Sequence, residues 1–193
     1  MESGLFLSLA VVGAIKLHSS FVAVTLLAAT AFAQAAGGPF SSQSLQKSPV
    51  EVLIFLRSDC PISNRFAPEV ERLSQEFSAK GVQFWLVYPD RADTAANVAD
   101  NAKEHGYNLP ILRDADRALV KRSDATITPE AAVFSHGELI YHGRIDDRVA
   151  AFGKVRPGPT THELQDALNA ALLGMKPAVQ EAPAVGCYIS DLQ

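Results

Sequence analysis

Two nearly unbroken apolar runs, Val50 to Leu56 (VEVLIFL) and Val82 to Tyr88 (VQFWLVY), constrain this chain more than any other feature. Runs of this length without alternation read as strands buried on both faces of a sheet, which requires helices above and below it. The segment between them supplies one helix. Ile62, Phe66, Val70, Leu73 and Phe77 recur at helical spacing from Cys60 to Lys80, with Gly81 as a stop and Pro68 expected to kink it. Thr94 to His105 is a weaker, Ala-rich helix closed by Gly106. Leu109 to Leu112 is short and extended, and Ala115 to Lys121 makes a helical turn or two. Ala131 to Ser135 and Glu138 to His142 flank His136-Gly137, a hairpin signal. Thr160 with Glu163 is expected to form a capping box for a last helix carrying Leu164, Ala167, Leu168, Ala171 and Leu172. This order predicts an α/β fold, a central mixed sheet with helices on both faces.

Ahead of this domain the chain changes in kind. Apart from Glu2, Lys16 and His18, the first 40 residues carry no ionisable side chain, and Ala31-Phe32-Ala33 before Gln34 fits a small-x-small cleavage site. Residues 1–33 therefore read as a signal peptide, with an uncleaved membrane anchor as the alternative. Residues 34–48 read as a linker, 49–176 as the folded domain, and 177–193 as a C-terminal tail carrying Cys187. The expectation is an exported protein, periplasmic or secreted, attached to a membrane only if the first segment is retained. A formal charge of -4 without any run of Lys and Arg excludes a nucleic-acid or anionic-membrane surface. Phosphate loops, nucleotide fingerprints and Ser/His/Asp nucleophile motifs are absent, and no cofactor is expected.

Cys60 and Cys187 are the two cysteines. In an oxidising compartment such a pair usually makes one structural disulfide. Cys60, however, falls directly after a buried strand and in the first turn of a helix, where unpaired N–H groups and the helix dipole favour a thiolate, the reactive form. Arg57 and Arg65 add to that effect and Asp59 opposes it.

The residues around Cys60 also carry a resemblance. Cys60-Pro61-Ile62-Ser63 after a strand, with Thr128-Pro129 before a later hairpin strand, resembles the thioredoxin superfamily, in which the proline at the place of Pro129 is cis and packs against the active-site cysteine. Ser58 to Glu69 (SDCPISNRFAPE), Tyr141 to Arg148 (YHGRIDDR) and Val185 to Ile189 (VGCYI) resemble the redoxin group, related to alkyl hydroperoxide reductase/thiol-specific antioxidant proteins. The resemblance spans about residues 48–190 and implies a thioredoxin-like fold. Two departures limit the chemistry it implies. Ser63 stands where thioredoxins have the second cysteine, and serine cannot resolve a mixed disulfide. Arg57 stands where peroxiredoxins have a Thr or Ser three residues before the reactive cysteine.

Cys187 can supply the missing thiol. From Gly174 the tail runs thirteen residues to Cys187, a reach of roughly 40 Å when extended against a radius of gyration of about 15 Å for such a domain. Cys60 as nucleophile with Cys187 resolving is the leading reading. A locked Cys60–Cys187 bridge, worth about 4–5 kcal/mol in the entropic view, is the structural alternative. The implied function is an exported thiol-disulfide oxidoreductase acting on protein thiols or disulfides, with an external thiol reductant. The alternatives are a redoxin-type thiol peroxidase acting on hydroperoxides and a non-catalytic binding or metallochaperone module. Arg144 is a candidate to stabilise a thiolate or peroxide oxygen, or else to pair with Asp146 or Asp147. Glu130, beside Pro129, is a candidate proton gate or a solvated carboxylate. His136 and His142 lack ligand spacing on one element, so no metal is expected.

Overall fold

The computed structural model describes residues 48–189, so the segment read as a signal peptide, most of the expected linker and the last four residues lie outside it. Strands β1 (Val50–Phe55), β2 (Val82–Tyr88) and β3 (Ile111–Arg113) run parallel, with Val50 opposite Val82 and Leu86 opposite Ile111. β5 (Glu130–Ser135) and β6 (Glu138–Gly143) continue the sheet antiparallel from β1, and β9 (Glu181–Ala182) closes it parallel to β6. The order β3-β2-β1-β5-β6-β9 puts β1 near the middle, which explains why all six of its residues are buried. The hairpin between β5 and β6 turns at His136 and Gly137, both with positive φ (50° and 84°), as a tight two-residue turn requires.

Side chains alternate across β1. Val50, Val52 and Ile54 enter one core with Phe66, Val70, Leu73, Phe77, Leu164 and Leu168; Leu53 and Phe55 enter the opposite one with Leu119, Val120 and Ile189. The first core is covered by α2 (Ala67–Ser78), α3 (Ala95–Glu104) and α5 (Glu163–Leu172), the second by α4 (Ala118–Ser123). Among the described residues no helix is long and apolar enough to cross a membrane.

The structure corrects the local reading at three places. The expected single helix from Cys60 to Lys80 is two, α1 (Pro61–Arg65) and α2, divided at Phe66. Pro68 lacks an N–H and its ring crowds the carbonyl four residues back, so it sits in the first turn of α2 rather than inside a continuous helix. The Thr160/Glu163 capping box does not form. The Thr160 N–H donates to Asp147 (2.6 Å) and its hydroxyl also bonds that carboxylate, leaving His162 at the N-cap of α5 without a side-chain bond. Part of the tail is built into sheets through β9 and through β10 (Cys187–Tyr188), which pairs antiparallel with β4 (Ile127–Thr128).

Candidate functional site

Cys60 caps α1 in an extended conformation (φ -86°, ψ 111°), and its carbonyl accepts the Asn64 N–H at 3.1 Å. Pro61 follows at the first helical position, where a missing N–H costs nothing. The chain enters this turn straight from buried β1, so the cysteine is held just beyond the C-terminal end of a central strand and is itself fully buried.

The loop before Cys60 is fixed by groups distant in sequence. Asp93 accepts both the Ser58 hydroxyl and the Ser58 N–H (3.3 Å). The Ser58 carbonyl accepts from Asn64 (3.2 Å) and Asn101 (3.1 Å), and Asn101 in turn accepts from the Tyr88 hydroxyl (2.9 Å). Every polar group of Ser58 is thereby used, which pins the approach to the cysteine.

The second cysteine arrives on β10. Cys187 lies opposite Thr128 in the ladder, the Thr128 hydroxyl donates to the Cys187 carbonyl (3.3 Å), and the Ile189 N–H donates to the Thr126 carbonyl (2.9 Å). β4 is anchored from its other side by Glu130, whose carboxylate accepts the N–H groups of Thr126 (2.9 Å) and Ile127 (3.1 Å). The Thr128–Pro129 peptide is cis. The β4–β10 ladder places the Cys187 sulfur 2.8 Å from that of Cys60, with Cys187 as the donor. As a thiol, Cys60 can itself donate to the Thr128 carbonyl at 3.4 Å.

The environments of the two sulfurs pull their acidities apart. Burial pushes the Cys60 thiol up, but hydrogen bonds from Cys187, the Ser63 hydroxyl and the backbone N–H groups of Ser63 and Ile62 outweigh it, and the net shift is downward. Burial pushes the Cys187 thiol up to about 11, Cys60 adds to this, and only Arg57 pulls the other way. The pair therefore shares its first negative charge on Cys60. Ser63 is buried and its hydroxyl makes no hydrogen bond among the described residues, so it is free to turn to a Cys60 thiolate. The residue that cannot resolve a disulfide is thus placed to stabilise a thiolate. Ser63→Ala is expected to raise the Cys60 pKa through the loss of one bond to a charged acceptor. Thiolate ultraviolet absorbance against pH measures it, and an unmoved midpoint would show that the hydroxyl does not act on the sulfur.

Of the other candidates, Pro129 lies in the segment that receives Cys187. Arg144 does not join the sulfur pair. Its guanidinium binds Glu163 and Thr161, while the acids expected to pair with it are taken, Asp146 by Arg148 and Asp147 by Arg156. Arg57, not Arg144, is the cation whose charge acts on a cysteine; it is ion-paired with Asp59 (2.6 Å) and more distantly with Asp90 (3.5 Å). Glu130 is buried, so the solvated reading fails, and His142 lies 3.4 Å from it. Glu69, Asp146 and His162 come within metal-ligand spacing, but Arg148 is paired with both carboxylates. Asp93 and Asn101 were invisible to sequence reasoning, lying 35 and 43 residues from Ser58. Asn64 had a signal, standing one helical turn after Cys60.

With this geometry established, comparison with known proteins defines the class, a thioredoxin-like redoxin domain. The chain belongs to the AhpC/TSA family, whose model matches residues 23–142. Cys187 lies outside the matched segment. Among solved structures, a hypothetical protein of Sinorhizobium meliloti is 25% identical, with 81% of this chain and 87% of that one covered at a TM-score of 0.67. An uncharacterized conserved protein of Geobacillus kaustophilus is 26% identical, with 81% and 85% covered at 0.66. A secreted Mycobacterium tuberculosis disulfide oxidoreductase shares the fold at 20% identity, with 74% and 92% covered and a TM-score of 0.50. Comparison with curated protein sequences finds no significant match.

Proposed function

We propose that this protein is a thiol-disulfide oxidoreductase whose redox centre is Cys60 and Cys187. The observation that supports it is the 2.8 Å approach of the two sulfurs, one with lowered and one with raised thiol pKa. A disulfide needs about 2.0 Å, so bond formation asks for less than about 1 Å of movement along a two-residue ladder.

The cycle begins when β10 parts from β4 and uncovers Cys60. Its thiolate attacks one sulfur of a substrate disulfide, forming a mixed disulfide and releasing the first substrate thiolate. Cys187, giving up its proton, attacks the Cys60 sulfur; the second substrate thiolate leaves and the Cys60–Cys187 disulfide forms. One thiolate of an external dithiol then attacks Cys187, the more accessible sulfur, expelling Cys60 as the better leaving group, and the second attacks the resulting mixed disulfide and releases Cys187. The external dithiol is oxidised by two electrons and the substrate disulfide is reduced by two. Protein disulfides are the substrate class, and the signal-like segment at residues 1–33 puts the reaction in the periplasm or outside the cell, where such bonds persist.

Membership of the AhpC/TSA family favours a second reading. There the Cys60 thiolate attacks a hydroperoxide, becoming a sulfenic acid and releasing an alcohol, and Cys187 condenses with it to give the disulfide and water.

Cys60→Ser is expected to abolish turnover of a peptide disulfide, and Cys187→Ser to stop after one turnover as a trapped mixed disulfide visible by mass spectrometry. Unchanged turnover in Cys60→Ser would sink the reading. Hydroperoxide consumption dependent on Cys60, without peptide-disulfide turnover, selects the peroxidase.

A further inference from the structure

At the far end of α1 from Cys60 lies a cleft of about 230 Å³ lined by Arg65, Arg148, Val155, Arg156 and the turn Pro157-Gly158-Pro159. Three arginines from separate segments line it. Their counter-charges lie behind them. Asp146 and Glu69 hold Arg148, and Asp147 holds Arg156 through Nε (3.1 Å). The carboxylates of Asp146 and Asp147 are 1% and 6% exposed, against 20% and 42% for their arginines, so the cations face outward and the acids inward.

The arginines are also prepared to bind. The Arg148 guanidinium stacks 5.1 Å above the Phe66 ring, which fixes its plane. Among the described residues Arg156 bonds only through Nε, leaving its terminal N–H groups open. Arg65 is exposed and makes no ion pair or hydrogen bond among the described residues. The open guanidinium forks of Arg65 and Arg156 suit a planar carboxylate, which each can bind through two parallel hydrogen bonds, while Arg148, its Nε and Nη2 already on Asp146 and Glu69, adds charge. The other walls are apolar. Val155, at the end of β8 (Lys154–Val155), which follows β7 (Val149–Ala151), is 46% exposed, and two prolines stiffen the turn after it. Carboxylate recognition beside apolar contact fits an acidic peptide better than a free inorganic anion, which would gain nothing from those walls.

We propose that this cleft is a subsite for an acidic segment of the polypeptide whose disulfide reacts at Cys60. The inference rests on the thiol-exchange reading. Five residues of helix separate Cys60 from Arg65, about 7.5 Å along the axis, and an extended peptide rises roughly 3.3 Å per residue. The recognised Asp or Glu therefore lies about two to four residues from the substrate cysteine.

The test uses two peptide disulfides of equal length, one with Glu three residues from its cysteine and one with Gln there. Wild-type kcat/KM should favour the Glu peptide by about tenfold, as expected for a hydrogen bond to a charged group, with the preference shrinking at high salt. Arg65→Gln combined with Arg156→Gln should bring the ratio to about one, and Arg65→Glu should invert it. A ratio unaffected by these changes overturns the proposal. Binding of a fluorescent Glu peptide to the Cys60→Ser/Cys187→Ser double variant supplies the independent arm. Arginine-dependent binding without wild-type turnover would retain the subsite and sink the exchange reading; no such binding sinks the subsite alone.

Discussion

Gly186→Ala is expected to uncouple the two cysteines while leaving the sheet intact. A Cβ at residue 186 would overlap the Thr128 carbonyl oxygen and stand 2.7 Å from its carbon, so backbone must move. The atoms in the way belong to β4, which is fixed by Glu130 from the other side, so the strand that gives is β10. Three readouts should change together. Cys60, fully buried beneath this contact, should react with iodoacetamide at least about tenfold faster, since opening would no longer be needed. Its pKa should rise, because the hydrogen bond from Cys187 is one of the causes that lower it. Disulfide turnover should fall by roughly 10- to 100-fold, the scale on which a misplaced reacting group slows a reaction. Unchanged alkylation and turnover would mean that the β4–β10 ladder does not control access to Cys60. The melting temperature should fall by only a few degrees, since the ladder lies outside the six-stranded sheet.

Legibility in the sequence divides along a physical line. β2 was read to the residue and β1 to within one, because continuous apolar runs are dictated by burial on both faces of a sheet. The β5–β6 hairpin was legible from His136-Gly137 because local backbone geometry decides it. β4, β9 and β10 were not legible. Each has two residues, carries no period and exists only through a partner distant in sequence. The same division runs through the site. Cys60 could be singled out because a strand-to-helix junction is a local feature, whereas the approach of Cys187 depends on a ladder joining residues 59 apart. Arg144 was matched with its neighbours Asp146 and Asp147, but a short sequence distance gives no preference once the chain turns. Its partner is Glu163, nineteen residues away.

Raising the pH from about 5 to 8 should destabilise the protein, and Glu51→Gln should abolish most of that effect. Glu51 sits in the middle of the sheet on β1, opposite Gln83 and Phe134, with 1% exposure and no hydrogen bond to either carboxylate oxygen. Burial pushes its pKa from 4.5 up to about 7, and the Arg122 charge only partly counters it. The folded pKa thus lies above the unfolded one, so between these values the native state binds more protons than the unfolded chain, and stability falls as pH rises. The protonated carboxyl is tolerated below about pH 4.5, and the cost of ionising it is complete above about pH 7. A shift of this size corresponds to about 3 kcal/mol, a large share of the 5–15 kcal/mol typical of a domain. Glutamine keeps the shape and removes the charge. Urea unfolding should therefore find Glu51→Gln close to wild type at pH 5 and more stable by about 2 kcal/mol at pH 8. Glu51→Leu, which also removes the unsatisfied polar atoms, should be stabilised at both pH values. If wild type and Glu51→Gln lose equal stability between pH 5 and 8, Glu51 is not the group that titrates; if they differ, the strand leading into Cys60 carries a carboxyl that the fold holds protonated near neutrality.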